Sequence, residues 1–189
     1  MKKIICSVLF ILLCCSIYAQ EHMKFKGLDI TGNVNSFGNL LAKQGYKLQE
    51  SEDNALTFVG GFASIQNCII YIIGSPKTST IWKVAVLLPK ENSWSSAKET
   101  YRKFKTQLSE KYGIGKSYEF FKDPYFEGDG YEFQAISKDK CYYSTFWTLQ
   151  SGAVSIEISS SEKIIISYED GINVLINRKE KAEAVINDL

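Results

Sequence analysis

The order of local structural signals constrains this chain most, because one helix signal followed by several strand signals occurs twice. The first helix is predicted over 33–45, between Asn33 as a favourable N-cap and Gly45 as a stop. The second helix is predicted over 93–113, where apolar residues recur at helical spacing between a capping serine and a glycine. Two helices separated by groups of strands predict an α+β protein.

Short runs of β-branched, aromatic and other apolar residues, bounded by turn residues, predict the strands. They lie at 55–59, 68–73 and 81–88 after the first helix, and at 118–121, 131–136, 141–149, 153–159 and 163–169 after the second. The breaks between most of them contain Gly, Pro, Ser or Asp, which favours hairpins and therefore antiparallel pairing.

The two halves predict tandem αβββ-type repeats, at about 33–89 and 93–169, in which Cys68 and Cys141 begin matching strands. One such unit cannot bury a whole sheet face, so we expect one continuous antiparallel sheet with two helices on one face. The C-terminal segment 170–189 has apolar residues at roughly helical intervals and is expected to form a short docked helix or a frayed tail.

The N-terminus predicts export. Residues 1–19 combine two lysines, an apolar run and a small residue at Ala19, which is the order of a secretory signal peptide. A lipoprotein signal is disfavoured because neither Cys14 nor Cys15 follows a small residue. The remaining chain, 20–189, is expected to be a single α+β domain in the periplasm or outside the cell, with no membrane span after signal removal.

Composition limits the partners and the chemistry. Removing the signal leaves 20 basic against 21 acidic side chains, from 22 and 21 in the whole chain, which excludes the electrostatic footprint of a nucleic-acid-binding protein. Two cysteines remain, Cys68 and Cys141. Export permits a disulfide between them, and two buried free thiols are the alternative.

The strand pattern predicts one face covered by the helices and one open face. The strand 141–149 carries aromatic residues on both faces, so one set must point away from the helices. We therefore predict a partner-binding surface with aromatic anchors on the open face. Its candidate residues are Tyr143, Trp147, Lys83, Glu157 and Ser155. The alternative is that a loop or the C-terminal segment covers this face.

No complete catalytic, cofactor or metal motif is present in the sequence. The single histidine, His22, lies close to the expected start of the mature chain, which argues against Ser-His-Asp or Cys-His catalysis and against common zinc sites. The acidic residues Asp123, Glu127 and Asp129 share one loop, but their spacing does not match a calcium-binding EF-hand. We expect neither catalysis nor a cofactor.

Several short segments carry a family resemblance, listed here in chain order. They are 21–32 (EHMKFKGLDITG), Phe37 and Leu41, 111–113 (KYG), 168–170 (YED) and 187–189 (NDL). In these the chain resembles a group of short exported proteins of unknown function from gut Bacteroidota. The predicted architecture is also similar to that of the β-lactamase inhibitor protein family, whose tandem αβ repeats form a concave sheet that grips a partner enzyme. Those repeats carry disulfides of their own, whereas each half here has one cysteine.

The sequence thus predicts a monomeric, non-catalytic binding module that engages a protein or a cell-envelope component through its open sheet face. One alternative is a small secreted enzyme that uses carboxylate and tyrosine chemistry. The other is a structural protein that associates with itself through the same aromatic face.

Overall fold

The computed structural model describes residues 21–187, so the expected signal peptide at 1–19 lies outside the described residues. The elements in chain order are β1 (Lys24–Phe25), β2 (Leu28–Asp29), α1 (Val34–Lys43), β3 (Lys47–Glu52), β4 (Ala55–Phe62), β5 (Ile65–Gly74), β6 (Ile81–Leu87), α2 (Trp94–Tyr112), β7 (Lys116–Phe121), α3 (Glu132–Ser137), β8 (Cys141–Leu149), β9 (Gly152–Ile158), β10 (Ile164–Asp170) and α4 (Asn173–Asn187). None of these helices is long and apolar enough to cross a membrane.

Strands β3 to β10 form one eight-stranded sheet in the order β3-β4-β5-β6-β10-β9-β8-β7. Every neighbouring pair is antiparallel. The predicted α+β class with a large antiparallel sheet is therefore confirmed. Each helix α1 and α2 is followed by four sheet strands rather than three, and the last strand of each half, β6 and β10, meet at the centre of the sheet.

Helices α1 and α2 begin and end where their caps predict. The Asn33 side chain accepts a hydrogen bond from the backbone N–H of Asn35 at 2.8 Å, and the Ser93 hydroxyl accepts one from the N–H of Ser96 at 3.1 Å. These side chains satisfy N–H groups that the first helical turn leaves free. Gly113 then ends α2.

Helices α1 and α2 pack on the same face of the sheet. A line of paired residues crosses seven strands on this face: Phe58, Ile70, Val86, Ile166, Ile156, Thr145 and Ser117. Gly38 of α1 lies against Phe58 at one end of the line, and the Tyr101 hydroxyl of α2 lies 2.6 Å from that of Thr145 near the other. The hydrophobic core fills the space between these helices and the sheet.

The prediction of a strand at 131–136 is wrong, because this segment forms α3. Its buried residues, Glu132 and Ala135, are three positions apart, which is helical spacing. Phe133 packs edge-on against Trp94 of α2, with ring centroids 5.6 Å apart. Tertiary packing therefore overrides the strand-like composition of the segment.

The possible disulfide between Cys68 and Cys141 does not form, and both cysteines are buried free thiols. Cys68 lies in β5 and Cys141 in β8, which are separated by four strand intervals, or about 19 Å at the usual spacing. A disulfide requires Cα atoms within about 7 Å. The two cysteines also do not occupy matching strands, since β5 is the third sheet strand after α1 and β8 is the second after α2.

The C-terminal segment forms a docked helix, α4, at the end of the sheet where β6 begins and β10 ends. The side-chain amide of Asn173 donates hydrogen bonds to the backbone carbonyl oxygens of Ile30 and Ile81, at 2.9 and 2.8 Å. The buried residues of α4 are polar, namely Asn173, Asn177 and Glu180. Helix α4 is therefore held by specific hydrogen bonds rather than by an apolar stripe.

Candidate binding surface

The open face of the sheet is the side opposite α1 and α2. One line of paired residues across this face consists of Val59, Ile69, Leu87, Ile165, Glu157, Ser144 and Tyr118. The line is aliphatic over the central strands, polar over β9 and β8, and aromatic at the β7 edge. Apolar side chains that remain partly exposed on a sheet face make that face a candidate interaction surface.

Four aromatic side chains form the aromatic patch at the β7–β8 edge of the open face: Tyr118, Phe120, Tyr142 and Phe146. The rings of Tyr118 and Phe146 pack edge-on with centroids 6.0 Å apart, and those of Phe120 and Tyr142 lie 5.1 Å apart. Tyr118, Phe120 and Phe146 remain 38%, 42% and 43% exposed. The patch is thus arranged by cross-strand contacts but is not buried.

Two lysines border the aromatic patch. The Lys116 ammonium lies 5.2 Å from the ring centre of Tyr118, and the Lys122 ammonium lies 4.7 Å from that of Tyr142. These distances permit cation–π attraction. The patch therefore presents apolar rings with a positively charged rim.

The polar part of the open face contains the other residues that the sequence predicted. Lys83 pairs with Glu169 across β6 and β10, with 3.0 Å between the ammonium nitrogen and a carboxylate oxygen. Ser155 pairs with Ser167 on one side and Phe146 on the other. Burial raises the pKa of Glu157, an effect that the charge of Lys83 partly offsets.

The open-face assignment of Tyr143 and Trp147 is wrong, because both side chains lie under α2. Tyr143 is 7% exposed and packs edge-on against Trp94, with ring centroids 5.0 Å apart. Trp147 is 2% exposed, and its indole N–H donates to the Gly113 carbonyl oxygen at 2.9 Å. The open face instead carries the neighbouring residues of the same strand, Tyr142 and Phe146.

The length of the turn between β8 and β9 is a sequence signal that predicts on which side of the sheet Trp147 lies. The structure pairs Leu149 with Gly152, so the connection is a two-residue hairpin. That register places Trp147 opposite Val154, whose strand alternates clearly between apolar and polar residues. A hairpin with a two-residue loop therefore assigns Trp147 to the helix side.

A hydroxyl and carboxylate cluster braces α2 against the sheet. The Tyr101 hydroxyl lies 3.0 Å from a Glu119 carboxylate oxygen, and Lys105 forms an ion pair with the same carboxylate. Burial raises the pKa of Tyr101 well above its ordinary value. The hydroxyl therefore stays protonated at neutral pH and acts as a hydrogen-bonding group rather than a nucleophile.

Two carboxylates of the acidic loop between β7 and α3, those of Glu127 and Asp129, are engaged within the protein. Glu127 forms an ion pair with Lys98, which lowers the pKa of that carboxyl group, while Asp129 accepts backbone hydrogen bonds. Within residues 21–187, no group of three or more His, Cys, Asp or Glu side chains is arranged to hold a metal ion.

Comparison with protein-family models, with curated proteins and with solved structures found no match for this chain. The function is therefore inferred from the geometry of the open face.

Proposed function

We propose that this protein is an exported, non-catalytic binding module that engages a protein or a cell-envelope component through the open face of its sheet. The observation that carries the proposal is the aromatic patch, in which paired rings remain exposed on a rigid antiparallel scaffold. Its position on two neighbouring strands fixes the spacing of the rings.

The energetics of the patch favour a partner. Burying a large apolar side chain is worth about 1.5–3 kcal/mol, and aromatic residues are enriched among those that dominate binding energy. Phe120 and Phe146 are each more than 40% exposed and have no polar group to interact with water. A partner that covers both rings therefore gains affinity without first ordering these side chains.

The charges at the rim favour an acidic partner surface. Lys116 and Lys122 flank the patch, and among the described residues neither belongs to an ion pair. Opposite charges at an interface rim speed association and fix orientation. The partner surface that fits is apolar at its centre and carries carboxylates around it.

Export and repeat architecture belong to the same proposal. The signal-peptide pattern at 1–19 supports delivery of a mature chain to the periplasm or the exterior. The sheet order, in which the last strands of two four-strand halves meet, supports a tandem repeat. Such a repeat lets two α-β units share one wide open face, as the resemblance to the β-lactamase inhibitor protein family implies.

The proposal predicts a monomer, and self-association is the competing function. Strand β7 is an edge of the sheet and carries Tyr118 and Phe120, so a second copy that pairs along it extends the sheet. Light scattering after size-exclusion chromatography distinguishes the two. A concentration-independent monomer supports the binding module, and a dimer that Phe120→Ser dissociates supports self-association.

A capture experiment tests the partner-binding surface. The mature protein is immobilised as wild type, as the double variant Tyr118→Ser/Phe146→Ser, and as the control Leu175→Ser, which removes an exposed apolar residue from α4. Each is incubated with the solubilised envelope fraction of the producing cells. We expect the double variant to lose, at least tenfold, a protein or glycan that the wild type and the control retain.

Equal recovery of every component by all three baits contradicts the assigned surface. Trp147→Ala is unsuitable as a bait in this experiment, because Trp147 is a core residue. Its truncation lowers the free energy of unfolding by about 3–5 kcal/mol, so a lost partner would not report on the surface.

A further inference from the structure

An open concave site lies in the connection between β7 and α3, outside the residues of the aromatic patch. It has a volume of ≈ 510 Å³ and is lined by Pro124, Tyr125, Phe126, Asp129, Tyr131 and Gln134. The site is open to solvent, and its volume is large enough to receive part of a small molecule. Half of the lining residues are aromatic.

The walls of this cavity are held by hydrogen bonds at the base of the loop. One carboxylate oxygen of Asp129 accepts from the N–H of Phe126 at 3.1 Å, and the other accepts from the N–H of Tyr131 at 2.7 Å. The Glu132 carboxylate also accepts from the N–H of Gly128 at 3.0 Å. The backbone at Phe126 and at Tyr131, from which two of the aromatic side chains extend, is thus held by opposite oxygens of one carboxylate.

The rings themselves are unusually exposed for residues in a fixed loop. The exposed fractions of Phe126 and Tyr131 are 63% and 62%. Gln134 is also exposed, so its amide group is open to solvent at the cavity. The cavity therefore offers aromatic surface and polar groups to a bound molecule.

The charge of the lining is negative. Asp129 is the charged group among the six lining residues, and its backbone hydrogen bonds leave its net charge in place. Asp123, in the same loop, adds a second negative charge, while Lys98 is paired with Glu127 and the Lys122 ammonium lies over the Tyr142 ring in the aromatic patch. The negative electrostatic potential of these carboxylates disfavours a bound anion and favours a bound cation.

We propose that the cavity binds a small organic ammonium ion, with a quaternary or methylated nitrogen seated against the rings of Tyr125, Phe126 and Tyr131. Aromatic faces attract cations through their quadrupole, and cages of several rings with a nearby carboxylate suit alkylated ammonium groups. The methyl groups of such an ion also bury apolar surface against the rings, which a hydrated metal ion does not.

Choline and its neutral isostere 3,3-dimethylbutan-1-ol provide the test, because they share shape and differ in charge. Each is titrated into the full mature protein while backbone amide resonances are followed by NMR. We expect saturable choline shifts centred on residues 124–134 and at least tenfold weaker binding of the isostere. Equal affinities for the two probes, no saturable shift with choline, or preferential binding of glucose would each overturn the proposal.

Two substitutions of one exposed residue check that the rings carry the binding. Tyr131→Leu removes the ring, and Tyr131→Phe keeps it. We expect the first to weaken choline binding about 3- to 30-fold and the second to change it by less than about threefold. Leu175→Ser, on α4, serves as the folded control. Choline binding that survives Tyr131→Leu unchanged excludes the proposed cage.

Discussion

The carboxylate of Asp170 accepts a hydrogen bond from the backbone N–H of Met23 at 2.8 Å, across 147 positions of the sequence. The same oxygen lies 3.0 Å from the His22 ring. The other oxygen accepts from the N–H groups of Ile172 and Asn173, two and three residues onward, as the side chain of a helix N-cap does. Asp170 therefore fastens the start of the described chain to β10 and to α4.

Replacing this carboxylate is expected to destabilise the whole domain. Asp170 is completely buried, so Asp170→Ala leaves several N–H groups without an acceptor. We expect the free energy of unfolding in urea to fall by about 2–4 kcal/mol. His22→Ala, which removes a half-buried partner and leaves the backbone bonds intact, is expected to cost less than about 1 kcal/mol. Equal losses of unfolding free energy in Asp170→Ala and His22→Ala would contradict this account.

The Glu180 carboxylate makes the docking of α4 sensitive to acid. It accepts from the N–H groups of Lys77 and Thr78, at 2.8 and 3.2 Å, and from the Thr78 hydroxyl at 2.6 Å. Burial raises the pKa of this group, but these hydrogen bonds and one from Ser75 outweigh burial and lower the pKa to about 2. The stabilisation is therefore complete above the ordinary pKa of 4.5 and is lost as the pH falls towards 2.

Glu180→Gln is expected to remove this pH-dependent contribution. At pH 7 the variant should be less stable than the wild type by about 1–3 kcal/mol, which is typical of hydrogen bonds to a charged group. Thermal unfolding measured from pH 7 to pH 2 should show the difference narrowing below about pH 4.5. A stability difference between wild type and variant that stays constant from pH 7 to pH 2 would show that the charge of Glu180 does not contribute to stability.

Gly152 is required by a close backbone approach at the start of β9. A Cβ atom at this position would lie 2.0 Å from the Glu169 carbonyl oxygen and 2.8 Å from the Gly171 nitrogen, and the φ angle is +148°. Gly152→Ala is expected to cost about 2–4 kcal/mol in urea unfolding. Gly128→Ala is the matched control, since its φ is +91° but nothing lies within 4 Å. If Gly128→Ala lowers the free energy of unfolding as much as Gly152→Ala does, the close backbone approach at Gly152 is not the cause of the loss.

The two cysteines are expected to be reduced and unreactive in the folded protein. Burial raises the pKa of Cys68, and it raises that of Cys141 to about 12, so little reactive thiolate exists at neutral pH. Alkylation followed by intact-mass measurement should show no modification under native conditions and two modified thiols in denaturant. A mass lower by two hydrogens, restored by reductant, would reveal a disulfide and contradict the structure.

Local signals made most of the fold predictable from the sequence. The caps Asn33 and Ser93 satisfy N–H groups within their own helices, so their effect does not depend on the rest of the molecule. The strands with strong apolar alternation were predicted for the same reason. Strand β3 was missed because all six of its residues are exposed, and pairing with β4 alone makes it a strand.

Which residues of β8 point towards the helices can be predicted only with information from outside this strand. Its two residue sets are both aromatic, so alternation within 141–149 does not distinguish the buried Trp147 from the exposed Phe146. The register with β9 does distinguish them, and it is set by the loop length. Of the five candidate residues, Lys83, Ser155 and Glu157 therefore lie on the open face, whereas Tyr143 and Trp147 lie on the helix side.

Photo-crosslinking in the producing cells tests the central claim most directly, because it reports contacts of the open face in place. A benzophenone amino acid is introduced at Tyr118 or Phe146 in the aromatic patch, and at Leu40 or Leu175 on exposed helix surfaces as controls. The account predicts that both patch positions yield an adduct with the same partner and that the helix positions do not. Adducts at the helix positions alone, or the same adducts at all four positions, would contradict it.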